Sequence, residues 1–257
     1  MRISVCQLPN VPKGLNDAWT RLAAHTRSAQ SDLVLLPEMP FFPWLAASDR
    51  PDPKRWQQSV EAHHQWIDRL FELGVAVVLG TQPVVRNGVC YNDGFVWSAQ
   101  NGATRAHTKY YLPDEAGFWE ATWYRRGEKA FETIRCGNAC IGFLICTELW
   151  FSGHARTYGQ KGAHIIVCPR ATPVASADMW LVGGRSAAVV SGAYCISSNL
   201  TGPNGSDLDF GGMGWIIEPQ AGGVLGTTSG QEPFITMELD LRLAECAKAT
   251  YPRYVLD

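Results

Sequence analysis

Three polar side chains stand where apolar runs end: Glu38 after DLVLLP, Lys109 after a predicted hairpin, and Cys146 after IGFLI. In α/β proteins such positions deliver side chains to a crevice at the ends of strands instead of losing them in the core. A cysteine nucleophile needs a base to form its thiolate, a donor for the developing oxyanion, and fixed geometry between them. Glu38 has the chemistry of the base and Lys109 that of the donor. Taken singly, each has a plainer reading: Cys146 as a buried thiol, Glu38 as a surface carboxylate, Lys109 as a solvated cation. Together they point to acyl transfer through sulfur.

The elements that must position them alternate in an α/β rhythm. RISVCQL reads as a strand, residues 15–30 as a helix, DLVLLPE as a strand and residues 53–73 as a helix whose polar pattern puts His63-His64 on a solvated face. VAVVLGTQ (75–82) and CYNDGFVWS (90–98) flank Arg86-Asn87-Gly88, and Asn-Gly tolerates the positive φ that a tight hairpin demands. ACIGFLICTE predicts a strand leading to a helix around 153–161, and AHIIVCPRA reads as a fully buried strand. A helix near 178–192, the strand AYCISSN and the hairpin-like GGMGWIIEPQAGGVLG complete a layered fold of mixed strands covered by helices. The long irregular stretch 107–131, dense in aromatics, is the kind of loop that carries function.

The 257 residues suit one α/β domain over 1–257, and 46% hydrophobic with 18% charged residues excludes a disordered chain. A net charge of −2 with scattered Lys and Arg offers no basic stripe for nucleic acid and no polybasic segment for an anionic membrane. The N-terminus MRISVCQLPN lacks the charged and apolar regions of a secretory signal, and no run approaches the ~18 apolar residues of a membrane helix, so a cytoplasmic location is expected. Of the eight cysteines, Cys6, Cys140, Cys146 and Cys168 lie in or beside apolar runs and read as buried thiols. Cys136 and Cys140 have no second ligand pair at zinc spacing, and neither metal nor cofactor is expected.

LVLLPEMPF around Glu38, HTKYYLPDEAGFWE from His107 to Glu120, and IGFLICTELWF around Cys146 resemble, in this order, the three signature segments of the nitrilase superfamily of carbon–nitrogen hydrolases. The resemblance begins at Gln7 and continues through HARTYGQKGAHIIVCPRA, the SSN of 197–199 and GWIIEPQAGGVLG. It implies a four-layer αββα sandwich with mixed sheets, assembled as a homodimer or higher homo-oligomer through outer helices. It also implies Cys146 as nucleophile, Glu38 as general base, Lys109 as oxyanion donor and the Thr147 N–H as a second donor. The family's further glutamate could be Glu115 or Glu120; FWEATWYRRG resembles the family's segment at the end of this loop, which favours Glu120. On that reading a thiol of reference pKa ~8.5 beside a cation and a base becomes a usable nucleophile near neutral pH, while two carboxylates keep Lys109 charged.

Nitrile-hydrolysing members usually place Trp and then Glu after the nucleophile, whereas Thr147-Glu148 follows here, which favours an amide or N-carbamoyl substrate. Leu149 and Trp150 stand where members acting on carbamoyl amino acids commonly carry arginines, and Ser152-Gly153 replaces the common Pro-Glu. Phe41, Phe42, Trp44, Trp119, Trp123, Tyr124 and Trp150 predict apolar pocket walls suited to an aliphatic or aromatic acyl group. Arg170, closing the strand AHIIVCP, is a candidate reader of a substrate carboxylate, although a structural ion pair explains it equally well, and Asn199 closes the next strand in a similar place. The alternatives are a nitrilase, a glutaminase domain serving a synthetase, and a catalytically silent binding protein of the same fold.

Overall fold

A computed structural model describes residues 1–255 apart from Asp207. The chain opens with β1 (Arg2–Pro9), α1 (Leu15–Ser28), β2 (Leu33–Leu35) and α2 (Pro53–Ile67). Asp52 starts α2 by accepting from the Lys54 N–H at 2.8 Å, and Pro53 at the first helical position loses no hydrogen bond. α2 stops at Ile67, short of the predicted end, and a 3-10 turn at Leu70–Leu73 follows. β3 (Val77–Arg86) and β4 (Val89–Ser98) then pair antiparallel across Asn87 and Gly88, with φ of 51° and 76°, as the Asn-Gly pair requires. β5 (Gly102–Thr108) extends this sheet to its edge.

After the loop bearing the short α3 (Glu120–Trp123) come β6 (Ile134–Cys136), β7 (Ala139–Phe143), α4 (Ser152–Gln160), β8 (Ile165–Arg170), α5 (Ala177–Ser191) and β9 (Tyr194–Pro203). β10 (Asp209–Gly211), β11 (Trp215–Ile217), β12 (Val224–Thr227), β13 (Phe234–Glu238) and α6 (Leu241–Lys248) complete the described chain. The strand order is β5-β4-β3-β2-β1-β9-β8-β7-β6, with both parallel and antiparallel neighbours.

β1 belongs to both halves of this arrangement. Its first residues pair with β2 and β13, and Gln7–Pro9 pair with β9. The two halves face each other: Ile3, Val5, Leu33, Leu35 and Leu79 share one core with Ile141, Phe143, Ile165, Val167 and Ile196. Alternation along β1 turns Cys6 and Leu8 the other way, onto Leu15, Trp19 and Leu22 of α1. α5 packs on β9 and β11, and α4 packs on α5. The result is the four-layer αββα sandwich, helices outside and two sheet halves within. Among the described residues no helix is long and apolar enough to cross a membrane.

His63 departs from the predicted solvated face. It is fully buried, its Nδ1 lies 2.7 Å from the Ser59 carbonyl oxygen, and the Phe41 N–H donates to its Nε2. Burial pushes this imidazole down to about 4, so it is a neutral packing group, while His64 alone faces solvent.

Candidate active site

Glu38 follows β2, Lys109 follows β5 directly, and Cys146 follows β7, so each half of the sandwich contributes. All three are buried, as is Glu120 at the start of α3. The Lys109 ammonium bridges two carboxylates, donating to Glu38 Oε1 at 2.7 Å and Glu120 Oε2 at 2.6 Å. Asn92 on β4 donates to Glu38 Oε1 at 2.8 Å, and the Tyr124 hydroxyl donates to Glu120 Oε2. The backbone around Lys109 is locked as well: its N–H reaches the Asn92 carbonyl, and its carbonyl accepts from Gly127 at 2.9 Å. A Cβ at Gly127 would stand 2.6 Å from Thr108 Cβ, so only glycine permits this approach.

These contacts fix the electrostatics. Burial alone would push Lys109 down, but the charges of Glu120 and Glu38 hold it well above the usual lysine range. Burial pushes Glu120 up to about 7 against the pull of Lys109, with Glu38 adding to the rise. The Cys146 thiol is pushed up by burial first and by the Glu38 charge second, and Lys109 only partly opposes this. The two carboxylates offset the charge of the cation, which is why its pull on the thiol is outweighed.

Backbone geometry sets the thiol apart. Cys146 has φ of +49° and Met39, directly after Glu38, has φ of +40°. Left-handed backbone costs a side-chain-bearing residue roughly 1–2 kcal/mol and clusters at functional sites. A 3-10 turn at Cys146–Trp150 follows, and Glu148 within it anchors the turn. Its fully buried carboxylate accepts from the Ile145 N–H at 2.8 Å and the Tyr110 N–H at 2.7 Å, and lies 2.9 Å from His107 Nε2. Glu148 thus ties the segment before Cys146 to the segment after Lys109. The sequence reading assigned it no role. The signal was present: a carboxylate inside ICTELWF must find several donors to be buried. Glu148→Ala strands those donors and is expected to lower stability by about 3–5 kcal/mol and activity with it. Glu148→Gln, which keeps one acceptor oxygen, should lose less of both; equal melting temperatures for all three proteins would remove this role.

A cavity of about 380 Å³ opens over Cys146 and Glu120. Thr147 and Trp150 line it, together with Phe118, Ala171, Thr172, Met179, Trp180 and Leu208. Glu115 lies at its exposed side, whereas Glu120 is the glutamate joined to Lys109. Phe42 and Trp119 do not line the cavity; both pack into a neighbouring aromatic cluster with Trp44 and Trp123. Arg170 is also corrected. It is fully buried, and its guanidinium donates to Ser197 Oγ and Thr172 Oγ1, each at 2.7 Å, and to the Met213 carbonyl, 3.9 Å above the Trp215 ring. It braces β8 against β9, with three of its five N–H donors engaged by the protein. Asn199 bonds to the Thr172 backbone, accepting from its N–H at 3.0 Å, and so secures the floor.

The carbon–nitrogen hydrolase family model matches residues 2–249. The chain is 25% identical over 187 residues to N-carbamoylputrescine amidase of Solanum tuberosum, covering 66% of this chain and 61% of that protein. It spans 49% to 61% of the lengths of the first curated relatives it matches. Among solved structures, a carbon-nitrogen hydrolase from Helicobacter pylori G27 superposes with a TM-score of 0.86 at 21% identity, covering 98% of this chain and 94% of that one. A glutamate-to-glutamine mutant of the amidase from Nesterenkonia sp. AN1 superposes at a TM-score of 0.79 with 18% identity, over 98% and 94% of the two chains, and carries the acetamide moiety of fluoroacetamide covalently added at its active-site cysteine.

Proposed function

The chain belongs to the carbon–nitrogen hydrolase family, and on that premise we propose that it hydrolyses amide or N-carbamoyl compounds through a thioester on Cys146. The observation carrying this reading is a set of open valences beside the buried thiol. Glu38 Oε2 and Glu120 Oε1 are buried without a hydrogen-bond partner, and two of the three Lys109 N–H groups are spent on the opposite carboxylate oxygens. A substrate amide satisfies all of them.

Glu38 takes the Cys146 proton as sulfur attacks the carbonyl carbon. The oxyanion receives the remaining Lys109 N–H and the Thr147 backbone N–H. The C–N bond breaks as Glu38 returns the proton to the departing nitrogen, and ammonia or an amine leaves. Water, deprotonated by Glu38, then cleaves the thioester, and the acid departs as Cys146 regains its proton. Glu120 holds Lys109 in place and, poised near 7, shares in proton movement. The cysteine adduct in the Nesterenkonia amidase and the name of the Solanum relative support this chemistry. Copies of the chain meet through the outer helices in this reading, and exposed Val182 and Phe151 support that face.

Rapid quenching with an amide substrate should show by mass spectrometry one acyl group on the peptide containing Cys146. Ammonia release across amides, ureido compounds and nitriles should favour the first two. Faster turnover of nitriles, or an adduct on another residue, would overturn this assignment.

A further inference from the structure

We propose that the pocket selects amides whose far end carries a positive charge, with Glu115 as the side chain that reads it; this rests on the hydrolase reading of the same site. The cavity runs from buried Cys146 and Glu120 to a rim where Glu115 and Met179 are exposed. A carbonyl seated at Cys146 therefore sends the rest of the acyl chain outward past Glu115.

At the outer end of that path the charge has one sign. Among the described residues the cavity wall includes no lysine, arginine or histidine. Lys109 is enclosed between Glu38 and Glu120, and Arg170 is fully buried behind the wall, bonded to Ser197, Thr172 and Met213 and 5.6 Å from the Trp180 ring. A substrate carboxylate would meet the Glu115 charge with nothing to offset it, whereas an ammonium would complement it.

Glu115 is also held where it is useful. It bridges antiparallel to Phe118, the Phe118 N–H reaching the Glu115 carbonyl at 2.8 Å, around Gly117 at φ +83°. The Gly117 carbonyl accepts from Trp44 Nε1 at 3.0 Å, which pins the turn to the body of the protein. Nothing among the described residues pairs with the Glu115 carboxylate. Exposed Trp150, its ring centroid 4.9 Å from that of Trp180, lines the same wall, and an aromatic face attracts a cation. The apolar remainder of the wall accommodates the methylenes between amide and ammonium.

The test compares an ω-amino amide, an alkyl amide and an ω-carboxy amide of matched chain length by ammonia release. The cationic amide should exceed the alkyl amide by about tenfold in kcat/KM, chiefly through KM, and the carboxylate should fall below both. The preference should shrink as salt is raised, as for any exposed charge pair. In Glu115→Gln the cationic to neutral ratio should fall toward one, and in Glu115→Lys the order should reverse; ratios within one variant cancel any general loss of activity. Equal turnover of the three amides by the wild type, or an unchanged ratio in Glu115→Gln, overturns this inference alone. A folded wild type that hydrolyses none of them overturns the amide reading as well.

Discussion

Cys146→Ala is expected to lose roughly ten-thousandfold or more in kcat/KM while melting within about 3 °C of the parent. In the proposed mechanism no other group at the site can replace the thiol: Glu38 serves as the proton acceptor, and Lys109 is an ammonium held by two carboxylates. The fold tolerates the change because alanine keeps a Cβ, meets the same cost at φ +49° and removes only one buried sulfur. Ammonia release and a thermal melt on the same preparation check both halves of the prediction. Substantial hydrolysis by a folded Cys146→Ala protein would sink the thioester mechanism.

Lys109→Met should abolish turnover and also destabilise the protein, and the combination is informative. Removing the ammonium leaves Glu38 and Glu120 buried together without a cation. Breaking a buried ion pair from one side costs about 3–5 kcal/mol, a drop in melting temperature of roughly 6–20 °C for a chain this size. Adding Glu38→Gln and Glu120→Gln to Lys109→Met neutralises the stranded carboxylates and should recover much of the stability with none of the activity. Chemical denaturation beside the rate assay separates the two losses. A Lys109→Met protein as stable as the parent would mean that the carboxylates do not depend on this lysine.

The polar centre was legible because each member sits next to a strong sequence feature. Glu38 and Cys146 follow buried strands, and Lys109 follows a hairpin marked by Asn87-Gly88. The resemblance of the three segments put these residues in one site, and the structure brings Glu120 onto Lys109 while leaving Glu115 at the rim. What failed depended on register between distant strands. Arg170 at the end of β8 was open to a substrate or a structural reading, and it bonds to Ser197 on β9 and the Met213 carbonyl, pairings that cannot be read from one strand. His63 looked solvated because its helix is polar, yet Phe41 from another segment covers it. The cavity wall was the least legible part. Trp180 and Met179 on α5 and Leu208 near β10 reach it only through the three-dimensional closure of the fold. The aromatics picked from the sequence divided, Trp150 lining the cavity while Phe42 and Trp119 pack elsewhere.

β1 runs through both halves of the sandwich, and the Cys146 thiol comes from one half while Glu38 and Lys109 come from the other. Neither half carries a reactive centre. In the proposed mechanism hydrolysis therefore requires both halves docked, with Glu148 joining the segment before Cys146 to the segment after Lys109.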